Sequence, residues 1–524
     1  MDNDNKTISD YTKAIASNPE DASAYNNRGI AYIALEEYRE AIEDLDKAIE
    51  LDPNQYSAYL NRGIAYMNTR EYQKAIPDLD KAIEGDSQNA EPHYVRGRVY
   101  VDLEEYGKAI DDLDRAIELD SEYALSYCQR GMAYSDLGKY EQSELDLTKA
   151  IELEPEYAWS YFIRGPVYAE LEEYHKAIAD LDKAIELDPD NPYAYFKRGL
   201  VHAALEEYRK AIDDYTDAIN IDSKEDEFYY EKGLANLNLK EYEEALVDLS
   251  KAIEIDPEYA EAYHWRGFSY YQLGRTKNAL KDYDKAINFH GLEDGEAYYH
   301  YGLADFDDGL YDSAVDDFTA AIELEFEDPD VYNSRGRAYL HSEKYEEAMA
   351  DFDRAIELDP EDAQAYLNRG RSLLGLEEYK KVIKELGKAI ALDPELAVSY
   401  YNRGIAYSEL GEYQKAIDDY TKYIQLEPED ADGYYNRGSV YWDLGEHGKA
   451  IENYTRAIEA EPEDPQLYQT RGHAYFELEE HRKAKEDLVK VLELAPQGFP
   501  VKRTLNKINK LLGEEDLPKG WTRG

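Results

Sequence analysis

Arginine and aspartate return along this chain sixteen residues apart, as Arg28 and Asp44, Arg62 and Asp78, Arg96 and Asp112, and onward to Arg471 and Asp487. A guanidinium with a carboxylate at fixed spacing can form a forked ion pair, and without one it can grip a phosphate. The matched carboxylates point to a ladder of pairs. Lys232 and Tyr301 depart from it on the basic side, Glu385 and Asn453 on the acidic side. Asparagines recur too, at Asn27, Asn61, Asn368, Asn402 and Asn436. An amide both donates and accepts, so such a series can pair with a peptide backbone of any sequence. His264 and His300, with Asp307 nearby, come nearest to a metal set. Lone histidines of this kind are ordinary, and no metal or cofactor is expected.

Catalytic signatures are missing. There is no phosphate loop of the G-x-x-x-x-G-K-[ST] type, no H-E-x-x-H, no G-x-S-x-G and no G-x-G-x-x-G. The loop from Gly291 to Gly295 lacks a lysine and a phosphate-cradling helix start. The expectation is a chain that is not an enzyme. Cys128 is the single cysteine, so neither an intrachain disulfide nor a cysteine zinc site can form. A net charge of −56 disfavours nucleic acid and anionic membranes, and favours basic partners. The N-terminal residues lack a signal peptide, and no apolar run approaches the ~18 residues of a membrane span, so a cytoplasmic protein is expected.

These residues must be held by repeated elements. Glycines fall 34 residues apart from Gly29 through Gly267, a single step of 35 leads to Gly302, and 34 resumes to Gly472, giving fourteen copies in register. Counted from each glycine, Tyr stands at −4 with His93 the one exception, and Tyr at +3 in ten copies. Offsets −4, 0 and +3 lie on one helical stripe. A second run carries Ala at +12, Leu or an aromatic at +16 and usually Ala at +19, again one face. Between the runs L-E-E-Y or L-G-E-Y suits a tight turn, as at Gly138, Gly411 and Gly445. After the second run comes E-L-D-P, as at Pro53, Pro189 and Pro360, where proline ends the helix. Each copy therefore reads as two antiparallel helices of about 12–14 residues. Pro77 and Pro166 fall inside helices, where kinks are expected.

The series of aromatic, Gly, Tyr, Ala, Ala and Pro over 34 residues resembles the tetratricopeptide repeat family. The resemblance covers residues 7 to about 498, with Tyr for the family's usual Trp at −4 and Arg for its usual Leu at −1. It implies an all-α fold, a right-handed α-solenoid superhelix of about fourteen helix-turn-helix repeats. Residues 1–21 match only a second helix. Residues 22–498 hold the fourteen repeats, with an irregular joint near 225–330 and the inserted residue in the loop 291–295. Residues 499–512, with Val501, Leu505, Ile508 and Leu512 on one stripe, form a capping helix, and 513–524 a tail.

In the resembled family, offsets −6, −3, −2, +1, +4 and +5 of the first helix line a groove that grips extended peptides. Unlike the core stripe, they vary here from copy to copy. They carry Trp159, Phe162, Tyr193, Phe196, Tyr230, Tyr271, Tyr299, Phe306, Tyr401, Tyr435 and Trp442, together with the five asparagines. Acids at these offsets outnumber bases fourteen to four, the bases being Arg98, Lys197, Arg337 and Arg371. No copy has the Lys at −3 or the Asn at +1 with which the family clamps acidic C-termini. The expected function is a protein-binding scaffold for extended, basic segments. The alternative is a regulatory or substrate-docking arm of a larger enzyme assembly. The sequence leaves self-association open.

Overall fold

The structure, a computed structural model, describes residues 2–495 and 500–515. Among the described residues it is all helix, with thirty α-helices and no strand. A repeat pairs a first helix such as Ala22–Ala34 with a second such as Tyr38–Leu51. Many first helices begin on a side chain that accepts from their own opening N–H groups. Asp21 caps Ala24, Asn191 caps Tyr193 and Asp430 caps Asp432. These caps satisfy donors that have no partner within the helix. At the other end the Asp52 N–H closes on Ala48, and Pro53 then forbids another turn.

The glycine at the centre of each first helix is there because the second helix is too close for a side chain. A Cβ at Gly29 would sit 2.8 Å from the Leu45 side chain, and one at Gly199 only 2.5 Å from the Tyr215 ring. The residues meeting these glycines, among them Leu45, Leu79, Leu113, Tyr215, Phe318 and Phe352, are fully buried. So are the flanking alanines Ala41 and Ala48, which keep the hairpin tight. The core is therefore a line of small clusters, repeated along the chain.

The chain divides into two compact units, Met1–Ser269 and Tyr270–Gly524. The first opens with the helix Asp2–Ser17. Its Thr12 accepts from the Arg28 guanidinium at 3.1 Å, as a second helix of a full repeat would. Pro77 and Pro166 both lie inside helices that continue past them, Tyr72–Gly85 and Ala158–Glu170. In the second unit the helix Thr276–Asp284 runs into a π-helical turn, Lys285–Phe289. The link that follows, residues 290–294, is one residue longer than the corresponding link 256–259. At the far end the helix Lys502–Leu512 buries Leu505 and Ile508, with Val501, against Leu488, Val491 and Leu492. Of the expected tail, residues 516–524 lie outside the described part, as do residues 496–499 of the last connection.

Candidate functional site

The arginine ladder is present and its geometry is uniform. Arg62 places Nε and Nη2 on the two carboxylate oxygens of Asp78, both at 2.7 Å. Arg28–Asp44, Arg96–Asp112, Arg130–Asp146, Arg164–Asp180, Arg335–Asp351 and Arg471–Asp487 repeat the fork. The third arm, Nη1, reaches sixteen residues back to the preceding hairpin. It meets Asp46 from Arg62 and Asp114 from Arg130, each at 2.5 Å, and Thr148 from Arg164 at 2.8 Å. This second partner was not anticipated from the sequence. Its signal is the polar residue recurring at +17: Asp46, Asp80, Asp114, Thr148 and Asp182. The tyrosines at −4 and +3 flank the same guanidinium, with Arg28 5.8 Å from the Tyr25 ring centre and 5.9 Å from that of Tyr32. Arg369, whose Nε has no partner, and Arg403, whose third arm faces Gly387, are less fully engaged, but both still hold a carboxylate, so the ladder reads as structural rather than as a phosphate groove.

Where the ladder lacks its arginine, two substitutes appear. Lys232 reaches Asp248 at 3.3 Å, and Asn236 donates to the other oxygen of that carboxylate at 2.8 Å. Tyr301 supplies no charge at all, and Asp317 is left beside Asp305 at the position the tyrosine occupies elsewhere. Burial, then the Asp305 charge, pushes the Asp317 carboxyl up to about 8, so it carries a proton at neutral pH.

The variable face of the first helices holds the other anticipated residues, at unequal depths. Trp159 and Tyr193 are 37% and 40% exposed. Phe162, Tyr230, Tyr271, Tyr299, Phe306, Tyr401, Tyr435 and Trp442 are half-buried. Trp159 leans on Phe162 at 5.0 Å, and Tyr230 on Tyr259 at 4.8 Å. Phe196 is a correction. It is only 1% exposed, packed among Tyr215 and Phe228, so it belongs to the core and offers no surface to a ligand.

The asparagines are largely turned inward. Asn61 donates to Asn26 and Asn368 to Asn333, each at 3.0 Å across successive repeats. Asn436 donates to the Tyr401 hydroxyl at 3.0 Å and to the Asp432 carbonyl at 2.9 Å, and Asn402 donates to the Val398 carbonyl. Asn368 is 1% exposed and Asn402 is buried as well, while Asn27 is half-buried. These four amides spend their donors on joining repeats or on their own helix.

Acidic and basic groups share this face. In the first unit a hollow between the helices Ala158–Glu170 and Pro192–Ala204 is lined by Pro166, Ala169, Glu170, Lys197 and Leu200. Next along, burial and then Glu227 push Glu231 up to about 7, against the nearby Lys197 charge. His264 is pushed down to about 3 by burial, which keeps it neutral. In the second unit the Tyr271 hydroxyl donates to Asp307 at 2.6 Å. No described helix is long and apolar enough to cross a membrane.

Signatures described as TPR repeat match residues 97–138, 165–206, 238–274 and 336–376. Others, described as tetratricopeptide repeat, match 22–55, 45–76, 124–157, 192–225, 260–290, 363–396, 397–430, 431–464 and 465–497. The chain belongs to the tetratricopeptide repeat family. Proteins of this family are typically scaffolds for protein–protein interaction and generally non-catalytic. No curated protein sequence gives a significant match. Among solved structures, YrrB, described as a TPR protein with an unusual peptide-binding site, shares 33% identity over 35% of this chain and 95% of its own, with a TM-score of 0.30. The Cut9–Hcn1 hetero-tetramer of APC/C aligns over 96% of this chain and 98% of its own at 17% identity and a TM-score of 0.38. A tetratricopeptide repeat protein from Parabacteroides merdae aligns over 48% and 98% at 19% identity, with a TM-score of 0.37.

Proposed function

We propose that the variable first-helix face binds an extended protein segment, basic in character, and that the chain acts as a scaffold without chemistry of its own. One observation carries the reading. Trp159 and Tyr193 stand exposed on successive repeats, on the face where residues change from copy to copy and where acids such as Glu170 gather. Large exposed aromatics have an apolar area that a partner can cover, and partly desolvated aromatics dominate many interfaces. The surrounding carboxylates favour a basic segment and speed its arrival. Asn61, Asn368 and Asn436 donate to the neighbouring repeat and Asn402 to its own helix, so this reading rests on the aromatics and acids rather than on the asparagines.

The test uses the full chain against two immobilised pools of random dodecapeptides, one biased to Lys and Arg and one to Asp and Glu. The basic pool should be retained at low salt, less so at 0.3 M salt, and about tenfold less by Trp159→Ala/Tyr193→Ala. Equal retention of both pools, or an unaffected double variant, would refute this assignment.

A further inference from the structure

One second helix of the second unit breaks the charge pattern of the others. Tyr379–Leu392 exposes Lys380, Lys381, Lys384 and Lys388 and no acid, alone among the second helices of the fourteen repeats. Its one carboxylate, Glu385, is buried and held by Arg369. In nine other repeats the base eighteen residues after the central glycine is paired with a glutamate three residues on, as Lys47 is with Glu50 and Lys183 with Glu186, each at 2.8 Å. After Lys388 the place of that glutamate is taken by Ala391. Lys388 lies 5.0 Å from the Tyr366 ring centre, and neither it nor Lys380 has an ion pair among the described residues. Lys384 comes within 3.6 Å of Glu385, whose charge is already shared with Arg369. Only Lys381 has an acid to itself, Glu378 of the preceding turn.

The three lysines without an acid of their own, Lys380, Lys384 and Lys388, stand about one turn apart on one side of the helix. A rise of about 1.5 Å per residue sets them about 6 Å apart along the axis. Like charges four residues apart oppose each other, and Lys380 sits in the first turn, where the helix dipole already disfavours a cation. The stripe therefore does not stabilise the helix that carries it. The neighbouring second helices close it off on either side. At the corresponding offsets the preceding one, Tyr345–Leu358, exposes Glu346 and Glu347, and the following one, Tyr413–Leu426, exposes Asp418. A flat membrane or a nucleic acid crossing several helices would meet those acids. A narrow acidic element lying along Tyr379–Leu392 meets the lysines alone.

We propose that this face of Tyr379–Leu392 docks an acidic helix of another protein, whose carboxylates on successive turns meet Lys380, Lys384 and Lys388. The partner's spacing follows from the match, since acids four residues apart on a helix repeat at the same interval of about 6 Å. A second copy of this chain is a poor occupant, because it brings its own charge of −56. The surface is separate from the variable first-helix face, so the two take different ligands: a basic segment there, an acidic helix here.

The test passes the full chain over immobilised alanine-rich helical peptides at about 0.15 M salt, which screens repulsion between distant acids but spares contacts at close range. One peptide carries glutamate at every fourth position, and another carries the same glutamates spread around the helix. Single-stranded oligothymidylate and phosphatidylserine vesicles serve as other anionic probes. The first peptide should retain the chain at least about tenfold better than the second, and slow hydrogen exchange in Tyr379–Leu392. Lys380→Gln/Lys384→Gln/Lys388→Gln should weaken that retention about tenfold. Lys47→Gln/Lys81→Gln/Lys183→Gln, which changes the net charge equally, should keep it. Four results overturn the site: no preferential retention by the in-line glutamates, equal loss in both lysine variants or in neither, tighter binding of oligothymidylate or vesicles, or self-association that the first variant abolishes, which would give the face to a second copy. Trp159→Ala/Tyr193→Ala should leave this binding unchanged, and the first lysine variant should still retain the basic dodecapeptides, so either face can fail alone.

Discussion

Arg130 holds both carboxylate oxygens of Asp146 through Nε and Nη2, each at 2.7 Å, across the two helices of one hairpin. Its remaining arm takes Asp114 of the hairpin before. One side chain thus closes a repeat and ties it to its neighbour, which is why the ladder recurs with so little variation. Removing the arginine should leave Asp146 buried and unpaired, a change that typically costs about 3–5 kcal/mol. We expect Arg130→Met to speed hydrogen exchange in the helices Ala124–Asp136 and Tyr140–Leu153, with smaller effects farther away, because a repeat contacts mainly its neighbours. Arg130→Lys should fall between, since Lys keeps the charge but loses the fork. Arg130→Met/Asp146→Leu should be milder than Arg130→Met alone. A double variant as damaging as the single one would show that the orphaned carboxylate is not the source of the loss.

Asp317 makes the opposite pH argument. Its carboxyl is raised from 3.8 to about 8 in the folded chain, so between these values the native state holds a proton that the unfolded chain has released. Stability from this group is therefore complete below about pH 4 and is lost as pH rises through 8. The ladder carboxylate Asp112 runs the other way. Although burial opposes it, the Arg96 and His93 hydrogen bonds hold its pKa below the ordinary value, so its contribution is lost on acidification. Asp317→Asn supplies a permanent donor toward Asp305. It should raise the thermal midpoint at pH 8.5, change it little at pH 4, and slow exchange in the helices Gly295–Asp307 and Tyr311–Glu323 at the higher pH. An Asn variant whose midpoint shifts equally at both pH values would mean that Asp317 is not protonated in the native state.

The ladder, the hairpins and the glycine contacts are legible in the sequence because all lie within one 34-residue register. Arg28 and Asp44 share a repeat, so their spacing alone shows the pairing. What depends on how one hairpin meets the next is not legible. Asp46 looks like an ordinary solvent-facing acid until Arg62 is seen to reach it. Asn368 looks like a groove amide until Asn333 of the preceding repeat takes its donor. Phe196 misleads for a related reason: at an offset that faces the groove in other repeats, the neighbouring Phe228 closes over it.

Gly199 tests the close approach of the helices. A Cβ there would lie 2.5 Å from the fully buried Tyr215 ring, with no open space for the ring to enter. Gly199→Ala should destabilise its repeat by about 1–3 kcal/mol through overpacking. Gly107 is also helical, but nothing lies within 4 Å of its would-be side chain. Gly107→Ala should instead stabilise by about 0.5–1 kcal/mol, from reduced chain entropy. Denaturant unfolding of both variants, followed by exchange in the affected hairpins, separates the two. A harmless Gly199→Ala would place the helices farther apart than described.

The turn between the two helices of a repeat carries a cost that the sequence pattern does not reveal. Nine non-glycine residues there, including Glu206 at φ 58°, adopt the left-handed backbone region, while Gly138 and Gly411 do the same at φ 68° and 73°. The hydrogen bonds agree: Glu207 N–H donates to His202 and Lys139 N–H to Tyr134, both at 2.8 Å. The turn is thus the same whichever residue fills it, and the difference between them is conformational. An L side chain in this region costs about 1–2 kcal/mol. Glycine avoids that and gives back about 0.5–1 kcal/mol in unfolded-chain entropy. Glu206→Gly should therefore stabilise its repeat slightly and Gly138→Glu should destabilise its own by a similar amount. Since both residues are on the outer turn, peptide binding should be untouched. Opposite signs in the two midpoints, with equal peptide affinity, would assign the effect to backbone strain alone. Matching signs would instead mean that the Glu206 side chain contributes contacts worth more than the strain.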